Sequence, residues 1–157
     1  MCNPALRQAL IAAHRLRELA RLRRVRDRIG REYARPLDVE ALARDADMPP
    51  GLLGRRFRDA YGLSPYAYLT VRRVEHAMVL LRHGDHSPDE LGRAVGCLST
   101  AVLVARFTEL AGMPPGDYRR LAAAGTPGLP WRVAAPVPRS SSNGEAAAGA
   151  PRLALLP

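Results

Sequence analysis

LDVEALARDADMPPGLLGRRFRDAYGL, residues Leu37 to Leu63, is the stretch that decides the fold. Asp38 is placed to cap a helix, and Glu40 sits in the first turn, where the helix dipole favours a carboxylate. Val39, Leu42, Ala43 and Ala46 recur at helical spacing and give a short helix one apolar stripe. Asp47-Met48-Pro49 interrupts it, because proline cannot donate a backbone N–H and constrains the residue before it. Pro50 suits the first position of a second helix, whose stripe is Leu53, Phe57 and Ala60, and Gly62 closes that helix. Two short helices, a tight turn and a small residue (Ala43) where they cross predict a helix-turn-helix over 38–62.

Opposite the stripe of the second helix lie Gly51, Gly54, Arg55 and Arg58. Each glycine inside a helix costs roughly 1 kcal/mol against alanine. In return it lets the backbone approach a surface closely. An arginine fork bonds guanine O6 and N7 in the major groove, or a phosphate. Taken alone, the two arginines also fit a plain solvated face.

Charge points the same way as this face. The 157 residues carry 24 Lys+Arg, every one an arginine, against 15 acidic residues, for a net charge of +9 and a pI near 10.9. Such a chain favours polyanions, meaning nucleic acid or an anionic membrane surface. Cys2 and Cys97 stand far apart and form no ligand cluster, so neither zinc nor a disulfide framework is indicated. Cys97 with the nearby His83 and His86 makes a poor nucleophile–base set, because no orienting third group is evident. No run approaches 18 apolar residues, and the apolar run Ala9 to Ala13 is too short for a signal sequence. The expectation is a cytoplasmic, nucleoid-associated protein that is not an enzyme and uses no cofactor or metal.

Upstream, residues 4–35 hold ten arginines against Glu18, Asp27 and Glu32. Leu6, Leu10, Ala13 and Leu16, then Leu22, Val25, Ile29 and Tyr33, step at three and four residues. This predicts one long helix, or two that abut near Arg21 to Arg24, with its last half packed on the helix-turn-helix and residues 1–22 as a basic extension. A basic amphipathic helix is able to lie on a membrane, but the neighbouring helices offer its apolar residues a nearer partner.

Downstream, Ser64 and Pro65 open a helix over 65–83 that ends at Gly84, read as a rigid spacer. Ser87, Pro88 and Glu90 then form a capping box, and a second helix-turn-helix follows over 87–112. It repeats the first. Leu42, Ala43, Ala46, Asp47 and Met48 align with Leu91, Gly92, Val95, Gly96 and Cys97. After one inserted residue, Leu53, Arg56, Phe57, Gly62, Pro65 and Tyr68 align with Leu103, Arg106, Phe107, Gly112, Pro115 and Tyr118. A closing helix is predicted over 115–122. The rest, 123–157, is rich in Ala, Gly, Pro and Ser and is expected to be a disordered tail, with Trp131 alone among turn residues.

The combination of GLSPYAYLTVRRVEHAMVLL and ELGRAVGCLSTAVLVARFTELAGMPPGDYR resembles the DNA-binding domain of the AraC/XylS family of bacterial transcription regulators. The resemblance covers about Arg23 to Arg120, so residues 23–121 are read as the domain. It implies an all-α fold in which two helix-turn-helix units are joined by a long linker helix. It also implies two recognition helices in successive major grooves, about 34–36 Å apart, of double-stranded DNA, bound by a monomer. The flanks, 22 residues before and some 35 behind, are too short for the sensor or dimerisation domain most members carry, which implies the stand-alone type.

The chain departs from the family pattern in four places. Pro49 replaces a usual serine cap, Cys97 a usual aromatic, Ala105 a usual basic residue, and Thr108 a usual lysine or arginine. The exposed face of the second recognition helix is therefore Ala101, Val104, Ala105 and Thr108, without charge. Arg55 and Arg58 are the expected base or phosphate contacts, with Gly51 and Gly54 permitting close approach. Arg56 and Arg106 lie at the flanks of their helices, where they hold the backbone or a neighbouring unit. Ser99 and Thr100 open the second recognition helix and are phosphate or base-edge candidates. Two other readings stay open. In one, the second unit docks on RNA polymerase or another regulator; in the other, arginine charge makes a weakly specific nucleoid binder.

Overall fold

A computed structural model describes residues 3–133. These form seven helices in chain order: α1 (Pro4–Arg31), α2 (Val39–Asp45), α3 (Pro50–Tyr61), α4 (Pro65–His83), α5 (Pro88–Val95), α6 (Thr100–Ala111) and α7 (Pro115–Ala123). No strand occurs among the described residues. The basic N-terminal segment is one continuous helix. Asn3 caps it, its side chain accepting from the Ala5 N–H at 3.0 Å.

The predicted caps form. Asp38 accepts from the Ala41 N–H at 2.8 Å, and Ser64 from the Ala67 N–H at 3.2 Å. Ser87 and Glu90 close a capping box, with Glu90 accepting from the Ser87 N–H at 2.8 Å. Those two bonds from Ser87, backbone and hydroxyl, hold the Glu90 carboxyl below its ordinary range.

Two apolar cores share one helix. Leu22, Val25 and Ile29 of α1 pack with Leu42, Ala43 and Ala46, Leu53 and Phe57, and Leu69 from the start of α4. The remainder of α4 (Val74, Ala77, Met78, Leu81) packs with Leu91, Val95, Leu103, Phe107, Ala111 and Tyr118. Tyr33, in the loop after α1, touches both cores. The helix expected to be a spacer is thus a structural wall of each unit, because its two halves face different neighbours.

The internal repeat reaches the backbone of the turns. In the first, the Met48 N–H donates to the Ala43 carbonyl at 3.0 Å; in the second, the Cys97 N–H donates to the Gly92 carbonyl at 2.8 Å. Each turn needs one left-handed residue, supplied by Asp47 (φ +52°) and Gly96 (φ +76°). Aspartate tolerates this conformation better than most side chains. Glycine is required in the second turn for another reason too: a Cβ on Gly96 would overlap the Ala34 carbonyl.

Two expectations are corrected. Leu6, Leu10 and Leu16, expected to find partners in the neighbouring helices, are 59, 61 and 68% exposed. Here α1 runs on past the core it helps to build, and only Leu22, Val25 and Ile29 of it are buried. Nor does the expected tail begin at 123. Arg82 donates to the Leu129 carbonyl at 2.7 Å, the Tyr118 hydroxyl to the Pro130 carbonyl at 2.5 Å, and the Val133 N–H to Glu75 at 3.3 Å. Side chains of α4 and α7 thereby hold the 129–133 backbone, while Trp131 stays 58% exposed. The remainder of the expected tail, 134–157, lies outside the described residues.

Candidate nucleic-acid interface

The surface of α3 follows from which of its residues are needed inside. Leu53 and Phe57 are fully buried, and Phe57 stacks at a tilt on Tyr61 with ring centroids 4.7 Å apart. That fixes the helix rotation and turns Gly51, Arg55 and Arg58 outward, with Gly54 half-exposed beside them. Nothing lies within 4 Å of where a Cβ would sit on Gly51 or Gly54. Packing therefore does not demand either glycine. Both leave the helix surface low at the centre of the exposed face.

The three arginines of α3 divide by partner. Arg56 reaches sideways to Glu18 of α1 at 3.4 Å. The side chains of Arg55 and Arg58 make no hydrogen bond or ion pair among the described residues, although aspartates and glutamates elsewhere pair with Arg21, Arg26, Arg28, Arg72, Arg106, Arg119 and Arg120. Two guanidinium groups on an exposed helix face, with no acid within ion-pairing distance although Asp59 lies on the same helix, are equipped to take an anion. Pro49 offers α3 no side-chain cap, so the N–H groups of Gly51 and Leu52 remain open, while that of Leu53 donates to the Pro49 carbonyl at 2.9 Å.

The same face of α6 has different chemistry. Leu103 and Phe107 are buried, which turns Ala101 and Ala105 outward and leaves Val104 half-buried. Ser99 caps the helix by accepting from the Val102 N–H at 3.4 Å. Thr100 donates to Asp89 of α5 at 2.6 Å, so its hydroxyl proton serves to clamp the two helices of the unit. Thr108 is half-buried and donates to the Val104 carbonyl at 2.7 Å. Arg106 pairs with Glu109 on its own helix at 2.8 Å.

Sequence reasoning missed two members of this surface. Leu98 is fully exposed, and Val102 is 53% exposed. With Ala101 and Ala105 they make an uncharged, apolar patch at the start of α6. Leu98 sits in the turn before the cap, where no periodicity reports on orientation. Val102 lies one step off the predicted face. Among the described residues no three His, Cys, Asp or Glu side chains are placed to hold a metal ion. No single described helix is long and apolar enough to cross a membrane.

Comparison with known proteins places this architecture. A family model described as a helix-turn-helix domain matches residues 42–121. A protein of Streptomyces lividans described as an AraC-like transcription regulator is 38% identical over 92 residues, covering 59% of this chain and 30% of that protein. A counterpart from Streptomyces antibioticus is 34% identical over 92 residues, with the same coverage of each chain. The chain thus spans under a third of the length of these curated relatives. Among solved structures, the DNA-binding domain of AdpA, a global transcriptional factor crystallised with a target DNA, superposes with a TM-score of 0.62 at 33% identity. That alignment covers 68% of this chain and 96% of the AdpA domain. The C-terminal domain of AraT, a response regulator from Geobacillus stearothermophilus, gives 0.59 at 28% identity, over 64% of this chain and 84% of that domain. Match to the family model over half the chain, together with near-complete coverage of the AdpA domain, places the chain in the AraC-type family of helix-turn-helix DNA-binding domains.

Proposed function

We propose that this chain binds double-stranded DNA sequence-specifically and regulates transcription, setting α3 and α6 in successive major grooves as a monomer in the cytoplasm. The observation that carries this reading is the unpartnered pair Arg55 and Arg58 beside two glycines whose Cβ positions are open. Arg55, at the centre of the face, is the reader of a base edge. Arg58, one turn along, contacts phosphate. Gly51 and Gly54 let the backbone of α3 settle close to the groove floor. Arg56 and Arg106 act as braces, given their partners Glu18 and Glu109. At the start of α6 the Ser99 side chain caps Val102 and the Thr100 hydroxyl is held by Asp89, so it is the backbone N–H groups of Thr100 and Ala101 that face phosphate.

Base contact by α6 is apolar. Ala101 and Ala105 suit thymine methyl groups and have no means to fork onto guanine. Selection of bound sequences from a random DNA pool, followed by footprinting, tests the whole reading. It predicts discrete sites of about 20 base pairs holding two half-sites one helical turn apart. Protection without sequence preference would instead mark a nucleoid-type binder. A second reading draws on the apolar patch of Leu98, Ala101, Val102 and Ala105: this unit docks on RNA polymerase or another regulator. Absence of any protection at physiological salt would favour it.

A further inference from the structure

The N-terminal half of α1 is a helical arm with an uncommitted face. Among the described residues, positions 4–17 form no hydrogen bond or ion pair beyond α1 and its cap Asn3. The first tie to another element is Glu18 to Arg56. Yet the arm is strongly patterned. Leu6, Ala9, Ala13, Leu16 and Ala20 follow steps of three and four residues, which place them along one line of a helix. This line lies on the side of α1 turned away from Leu22, Val25 and Ile29, the residues that build the core. Leu19 flanks it and is 48% exposed.

The composition of the line speaks to what covers it. Leucines interspersed with alanines give knobs and holes for a second helix, whereas a bilayer rewards bulk at every apolar position. Charge narrows the partner. Between Pro4 and Arg24 there are six arginines and one glutamate, and Glu18 is already engaged by Arg56. Arg17 and Arg24 flank the line, and Arg23 closes its end. A second copy of this chain would bring another six arginines to the contact, so charge opposes self-association. It favours a helix with a leucine/alanine seam and glutamates at the flanking positions.

We propose that the Leu6–Ala20 face of α1 docks an acidic amphipathic helix of a partner protein, which would bring that protein to the DNA site. The test uses the full chain and a fluorescent 21-residue peptide with a leucine/alanine heptad seam flanked by glutamates. A second peptide carries lysine at every glutamate position. Fluorescence anisotropy at about 0.1 M salt should show saturable binding of the acidic peptide, at least tenfold tighter than the lysine version. The double substitution Leu6→Glu and Leu16→Glu should lose at least tenfold in peptide affinity. Both leucines are exposed, so its helix content by circular dichroism and its DNA affinity should not change. Arg17→Ala with Arg24→Ala should narrow the gap between the two peptides. Equal affinity for the two peptides overturns the proposal. So does a parent that is dimeric by sedimentation while the leucine variant is monomeric, which would make a second copy the occupant. Binding to phosphatidylglycerol vesicles without peptide binding overturns it in favour of a membrane. A drop in DNA affinity in the leucine variant would assign the arm to the DNA contact instead.

Discussion

Arg73, in the middle of α4, donates through Nε to the carbonyl of Tyr33 at 2.8 Å, and through a terminal nitrogen to the carbonyl of Arg35 at 2.9 Å. This pins the loop between α1 and α2 onto the shared helix. Ala34, between the two acceptors, presses its carbonyl against Gly96 in the turn of the second unit. One loop of the first unit thus braces the turn of the second. Arg73→Ala should cost about 1.5–3 kcal/mol, since two charge-assisted hydrogen bonds are lost, one to a part-buried carbonyl and one to an exposed one. Gly96→Ala adds a steric clash to a strained φ and should cost more, on the order of 3 kcal/mol or above. Gly112, with φ +77° but open space around it, is the control; its alanine variant should lose only about 1–2 kcal/mol. Urea denaturation ranks the three, and equal losses at Gly96 and Gly112 would contradict the brace.

Gly54→Ala separates stability from function by sign. An alanine there meets nothing within 4 Å, so the helix should gain about 0.5–1 kcal/mol. DNA affinity should fall, because the added methyl holds α3 off the groove floor. Thermal melts and gel-shift titrations on one preparation give both numbers. A variant that is both more stable and equally tight on DNA would show that the low surface has no role in binding.

The arginines of α3 make a graded series. Arg55→Ala should cost about 1–3 kcal/mol of specific binding and relax preference at one base position. Arg58→Ala should weaken all sequences alike and lower the salt dependence by about one phosphate. Arg56→Ala removes an exposed ion pair to Glu18 and should change stability by less than about 1 kcal/mol. Selection experiments on each variant check the assignment, and a change of base preference in Arg58→Ala would reverse the two roles.

His76 gives a pH signature. It stacks on Tyr33 with ring centroids 3.6 Å apart, and its Nε2 is buried without a hydrogen-bond partner. Burial, and then the positive charge of Arg72, push its pKa below the ordinary histidine value, with Glu75 opposing. The unfolded chain therefore takes up a proton at a pH where the folded chain does not. Stability contributed by neutral His76 is full above about pH 6.5 and is lost progressively as pH falls below it. His76→Phe should flatten melting temperature between pH 7.5 and 5.5 relative to the parent. An unchanged slope would assign the pH dependence to other groups.

Most of the fold was legible because the repeat is local. Each cap, each turn and each apolar stripe lies within a dozen residues, and two copies of one pattern support each other. What escaped depends on contacts remote in sequence. The 129–133 segment reads as turn-rich coil, but Arg82, Tyr118 and Glu75 bind its backbone, and composition carries no trace of that. The exposure of Leu6 and Leu16 escaped because helical spacing shows that a stripe exists, not that anything covers it. At the interface, Arg55 and Arg58 were legible from the helix phase set by Leu53 and Phe57. The commitment of the Thr100 hydroxyl to Asp89, eleven residues earlier, was not.

The sharpest consequence is asymmetry between the two units. The exposed face of α3 carries two free arginines, and that of α6 carries none. Neutralised phosphates supply much of protein–DNA affinity, with a slope near 0.9 per phosphate in log K against log salt. The measurement is affinity at fixed salt for a selected site with each half-site scrambled in turn. Scrambling the half-site under α3 should remove most of the specific binding, whereas scrambling the one under α6 should cost on the order of 1 kcal/mol, set by methyl contacts and DNA shape. Equal losses from the two half-sites would contradict the account and show that the apolar surface of Leu98, Ala101 and Ala105 reads DNA as strongly as the arginines do.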